Sequence, residues 1–176
     1  MNVRPLIVAT LALALIAGAA IYYLQVYAYY TEPTAEEAGG VKLTAAATGL
    51  PEDIAFAAFR AIDSDSSPIR FRACFTTLLS QADLAARFVP YPEPMPLNAP
   101  GWFDCFDAAA IGAALEAGEA QAFLGLGDIR WGIDRVVAVL PDGRGFAWHQ
   151  INPCGEVVFN GEPAPAGCPP LPEGAE

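Results

Sequence analysis

The chain has 176 residues, 54% of them hydrophobic, with a formal net charge of −11, four cysteines and one histidine. A polyanion of this kind is a poor partner for nucleic acid or anionic headgroups, both of which need basic patches. A single histidine excludes a multi-histidine metal site.

Residues 6–30 form an uncharged run closed by Tyr22, Tyr23, Tyr27, Tyr29 and Tyr30. As a helix the run is roughly 37 Å long, more than the ~30 Å hydrocarbon core requires. It is read as one membrane-spanning helix with amphipathic tyrosine rings at its interfacial end. Pro5 stands at the other end, where a missing N–H costs a helix little. Arg4 and the amino terminus precede the span, and Glu32, Glu36 and Glu37 follow it. The positive-inside rule then puts the N-terminus in the cytoplasm and residues 31–176 outside. The rival reading is a cleaved signal peptide, with Ala17-Gly18-Ala19 as the cleavage site. The apolar run continues through Ile21 to Tyr30, which favours an uncleaved anchor. Both readings export the domain. Thr10, Ala14 and Gly18 share one helix face at four-residue spacing and let another helix approach closely, although alanine-rich composition also produces such rows by chance.

The organisation expected is an anchor (1–30), a polar linker (31–40), one domain (41–168) and a flexible tail (169–176). Residues 31–176 hold all twenty acidic residues and eight basic ones, a net charge of −12. Cys74, Cys105, Cys154 and Cys168 in an exported domain read as two disulfides with three connectivities possible. Cys154 and Cys168 close a short loop of about 15 residues, worth roughly 3 kcal/mol. Elimination then pairs Cys74 with Cys105, with the crossed pairings still open.

In chain order, residues 41–45 alternate as a first strand, and residues 52–60 suggest a short helix after Pro51. The turn cluster 63–68 leads into a strand over 69–75, with Ile69, Phe71, Ala73 and Phe75 on one face and Arg70 and Arg72 on the other. Ser80 caps a helix running to Phe88, with Asp83 at the capping-box position. Residues 90–101 carry five prolines and read as an extended crossing loop or a lid-like excursion. Residues 104–117 read as a helix with Phe106, Ile111, Ala114 and Leu115 inward and Gly118 as its stop. Strands are expected at 119–126, 133–140 and 145–151, the last two flanking the turn Pro141-Asp142-Gly143-Arg144. A short strand is read at 156–159. The fold class is α+β: one N-terminal transmembrane helix, then a disulfide-stapled domain with a mainly antiparallel sheet and two or three helices.

Few residues carry chemistry. His149, on the strand face of Ala147 and Ile151, reads as a structural, hydrogen-bonded histidine before a catalytic one. A Cys105–His149 nucleophilic pair is disfavoured by Asp104 and Asp107, whose charges oppose a thiolate. Asp63, Asp65 and Ser67 imitate a calcium loop, but Pro68 and Cys74 stand where its glycine and bidentate glutamate belong. Gly125-Leu126-Gly127 lacks the third glycine of a dinucleotide fingerprint. Arg70 and Arg72 suit an anion or a partner carboxylate, or internal pairing in so acidic a domain. Trp102-Phe103 reads as a core plug before an interaction tip. No motif calls for a cofactor, and the chain is not expected to be an enzyme.

The segments 66–75 (SSPIRFRACF), 101–112 (GWFDCFDAAAIG), 132–139 (GIDRVVAV) and 148–156 (WHQINPCGE) give the chain a further reading. With them it resembles an uncharacterised bacterial family of small single-pass proteins, a domain of unknown function. The resemblance covers nearly the whole chain. It implies an inner-membrane protein with a periplasmic domain and supplies no activity and no catalytic residues.

Two functional expectations follow. The first is a non-enzymatic interaction protein, an accessory or assembly factor of a larger membrane complex, with a protein partner in membrane or periplasm. The second is a periplasmic small-ligand-binding or sensing domain, with Arg70, Arg72 and His149 around a pocket under the 90–101 loop.

Overall fold

The computed structural model describes residues 3–172. The chain divides into two compact units that meet between Thr31 and Glu32.

In the first unit, α1 (Arg4–Tyr23) starts with Pro5 in its first turn and has no buried residue. It continues as one wider turn over Leu24–Ala28, where backbone bonds reach five residues back. That wider turn brings Tyr27 against Tyr22 and Tyr23, at ring separations of 6.2 and 6.0 Å. Together Arg4–Ala28 is long and apolar enough to cross a membrane.

The second unit is α+β. Five antiparallel strands are ordered β3-β4-β7-β6-β5: β3 is Ala57–Ile62, β4 Arg72–Thr76, β5 Gln121–Arg130, β6 Ile133–Val139 and β7 Arg144–Ile151. A small hairpin of β1 (Lys42–Thr44) and β2 (Pro51–Asp53) stands beside β5, where the Thr44 hydroxyl donates to Gly125 O. Leu84 and Phe88, from α2 (Gln81–Arg87) and its C-terminal flank, join Leu43, Phe71, Phe75, Phe123 and Val137 in the core on one sheet face. On the other face Phe106 packs edge-on against Phe146 and Trp148. Both faces are therefore covered, and β7 is buried almost end to end. Each large side chain so removed from water stabilises the fold by about 1.5–3 kcal/mol.

The disulfides are Cys74–Cys105 and Cys154–Cys168. Ser80 caps α2 as expected, its Oγ accepting from Asp83 N and donating to Asp83 Oδ2. The turn at Asp142-Gly143 joins β6 to β7 in register.

Three elements differ from the sequence reading. The stretch 52–60 is not a helix: β2 (Pro51–Asp53) and β3 (Ala57–Ile62) are strands, joined by extended chain over 54–56. The Thr76 and Thr77 hydroxyls hold this stretch extended by donating to Ala57 O and Ala55 O, and Ala58 sits at φ 51°, outside any right-handed helix. Residues 153–159 are a helix, α4 (Pro153–Phe159), not a strand. Asn152 caps it by accepting from Gly155 N, and Pro153 occupies its first turn. The helix read from residue 104 starts only at Ala108, as α3 (Ala108–Glu116), with Asp107 as its cap. The preceding turn is held elsewhere: Cys105 is bonded to Cys74 and Asp104 pairs with Arg60 at 2.9 Å.

Candidate functional site

His149 on β7 stands opposite Arg135 on β6. Arg135 Nε donates to His149 Nε2 at 3.1 Å, so the ring proton lies on Nδ1, which donates to Pro68 O at 2.8 Å. Phe71 stacks on the imidazole at 4.7 Å, and the Arg135 guanidinium lies 4.1 Å over the same Phe71 ring. Arg135 also donates from NH1 to Ala38 O. Burial first, then the Arg135 charge, pushes His149 from its ordinary 6.5 down to about 3. Such a histidine is neutral near pH 7, with both nitrogens engaged in structure. Burial likewise lowers Arg135, while the Asp63 charge opposes that shift. Beside this cluster is a half-enclosed, mostly polar cavity of about 220 Å³, walled by Asp63, Asp65, Arg130, Arg135 and His149.

Arg72 lies on the opposite sheet face and is 4% exposed, so it is not presented to an anion or a partner carboxylate from solvent. Its Nε donates to Leu97 O at 2.6 Å and its NH2 to Asn98 O at 3.3 Å, while NH1 serves Ile69 O and Phe71 O. The guanidinium fork thus ties the proline segment to β4 through backbone carbonyls. Because Arg72 pairs with Trp148 and His149 points the other way, Arg72 and His149 do not converge on one pocket. The three-residue pocket under the 90–101 loop is therefore not formed. Arg70 is half-buried just before β4.

The proline segment is a fixed strap. Tyr91 N donates to Ala122 O and Leu124 N to Val89 O, so the segment begins beside β5. Farther along, Met95 N donates to Gln150 Oε1 at 2.7 Å, and Gln150 Nε2 donates to Glu93 O at 3.0 Å. The Tyr91 hydroxyl donates to Asp134 Oδ2, and burial together with that carboxylate pushes the phenol up. Asp134 Oδ1 in turn accepts from Asp128 N and Asn152 Nδ2. Between strap and α3 runs an open groove of about 740 Å³, floored by Ala109, Gly112 and Ala113 and walled by Pro94 and Pro96. Among the described residues its charged lining is Glu93 and Glu116, with no basic residue.

The family model described as a family of unknown function, DUF6446, matches residues 41–169. The chain belongs to this family. No curated protein and no solved structure matches the chain. The DUF6446 domain thus runs from the residue before β1 to the residue after Cys168, and α1 lies outside it.

Within the DUF6446 domain, Phe103 is fully buried and Trp102 half-buried beside it, so the plug is chiefly Phe103. Asp63 accepts from the next residue's N–H in a local turn, and Ser64 and Ser66 share a hydroxyl contact. Outside the domain, the Thr10 hydroxyl donates to Leu6 O within its own helix, and Ala14 and Gly18 are exposed. Arg135, Asp134 and Gln150 were not singled out from the sequence. Their signal was a polar residue inside an apolar strand run, which a buried network alone explains.

Proposed function

We propose that the protein is an interaction module of the bacterial inner membrane. Its N-terminus is cytoplasmic, its DUF6446 domain is periplasmic, and it serves as an accessory or assembly factor for a larger membrane complex. The apolar helix and the two disulfides support anchoring and export. The observation that carries the interaction reading is the groove between strap and α3. Small residues leave its floor open, and among the described residues its charges are two glutamates. The occupant it fits is a partner segment with apolar side chains flanked by lysine or arginine.

Cross-linking in whole cells, followed by extraction in mild detergent, tests this reading. A stoichiometric membrane protein in the extract supports it, and a lone monomer with no cross-linked neighbour counts against it. The cavity beside His149 favours a second reading, a small-ligand-binding or sensing domain.

A further inference from the structure

Where the strap leaves β5, a half-enclosed cavity of about 280 Å³ opens beside it. Val89, Leu124 and Ile151 give it apolar walls, and Glu93, Asp134 and Glu156 give it three carboxylates. No basic residue lines it among the described residues. The cavity is shaped before any ligand arrives. The Tyr91 hydroxyl on Asp134 ties the strap to β6, and Gln150, bonded to Glu93 O and Met95 N, ties it to β7.

Asp134 is 9% exposed, and the groups that donate to it are neutral: the Tyr91 hydroxyl, Asp128 N and Asn152 Nδ2. No ion pair among the described residues includes Asp134, Glu93 or Glu156. A carboxylate taken out of water gains from a cation at its side as well as from dipoles. These three do not form a metal cage, since no group of acidic, histidine or cysteine side chains among the described residues is placed to hold a metal ion. An inorganic cation would also gain nothing from walls of valine, leucine and isoleucine, whereas a hydrocarbon stem would. The volume equals about nine waters at ~30 Å³ each, room for a group of lysine side-chain size.

We propose that this cavity binds a primary alkylammonium group. Its stem, of about four carbons as in lysine, lies against Val89, Leu124 and Ile151, and its head lies among Glu93, Asp134 and Glu156. A free alkylamine and a lysine side chain of a docked protein offer the same group. The site does not depend on the groove, because Asp134 and Glu156 line this cavity and not the groove.

The test is thermal unfolding of the full chain in mild detergent, titrated with n-butylammonium, Nα-acetyl-lysine methylamide, 1-butanol or ammonium chloride. At about ten times its Kd an alkylammonium probe raises Tm by about 3–5 °C, and butanol and ammonium do not. Glu156→Gln, at an exposed position, keeps the ligand-free Tm and weakens the titration midpoint about tenfold. Glu116→Gln, in the groove and not in this cavity, leaves the midpoint unchanged. Tighter binding of the lysine derivative than of butylammonium assigns the head group to a partner's side chain, and the reverse order assigns it to a free amine. An equal shift with butanol or with ammonium would overturn recognition of an alkylammonium. No shift with either alkylammonium probe would overturn the site while leaving the groove to its own cross-linking result. A midpoint unchanged in Glu156→Gln would remove the binding from this cavity.

Discussion

Arg135 donates to His149 across the β6–β7 pair, which fixes the imidazole as a neutral acceptor under a permanent positive charge. The histidine is held well below its unfolded pKa, so the unfolded chain binds the extra proton between pH 6.5 and about 3. Stability from the neutral ring is fully present above 6.5 and is lost as pH falls through that window. The slope is roughly 1.4 kcal/mol per pH unit at most. Urea unfolding of the full chain between pH 6.5 and about 4.5, above the carboxylate range, should show this loss. His149→Asn should flatten it. An equal slope in the variant would mean another group titrates there.

Arg72 is expected to hold the strap as well as the strand. Arg72→Lys keeps the charge but cannot reproduce a fork reaching Leu97 O and Asn98 O together. A loss of about 2–4 kcal/mol is predicted, with faster amide exchange over residues 93–98. Unchanged exchange in that stretch would show that the strap stands without Arg72.

The two disulfides should differ in effect. Cys74–Cys105 spans 31 residues and Cys154–Cys168 spans 14. Loop entropy gives about 4 and 3 kcal/mol respectively. Only the first holds the turn that carries Phe103 and Phe106 onto the sheet. Paired alanine substitutions, compared by urea midpoint, should therefore rank Cys74/Cys105 as the costlier loss.

Gly155 packs its Cα against the β5–β6 turn, and an added Cβ would lie 2.2 Å from Gly132 O. Backbone oxygen cannot move aside as a flexible side chain can. Gly155→Ala should cost more than about 2 kcal/mol and loosen α4. Gly101→Ala, with nothing within 4 Å of the added carbon, should be nearly silent. Equal effects would deny the close approach.

Much of the fold was legible because local chemistry and tertiary structure agree. The Asp142-Gly143 turn and the Ser80 cap each select one backbone shape, and the structure keeps both. Residues 52–60 misled because Ile54, Ala58 and Phe59 have helical spacing, while cross-strand bonds from Thr76 and Thr77 decide the outcome. Val157 and Val158 suggested a strand, but the Asn152 cap prevails. The candidate sites were less legible. A groove between strap and helix depends on where Arg72 and Gln150 pin the proline segment. The partners that these two residues find in the proline segment lie far from them in sequence: Leu97 is 25 positions from Arg72, and Met95 is 55 from Gln150.

The most direct test of the interaction reading is site-specific photo-cross-linking in living cells. A cross-linker at Ala109 sits in the groove, and one at Glu162 sits on exposed surface in the Cys154–Cys168 loop. A single dominant membrane protein captured from Ala109 and not from Glu162, and lost when Glu93 and Glu116 are changed to lysine, is the predicted result. Capture of nothing from Ala109, or of the same products from both positions irrespective of those charges, would contradict a partner in the groove.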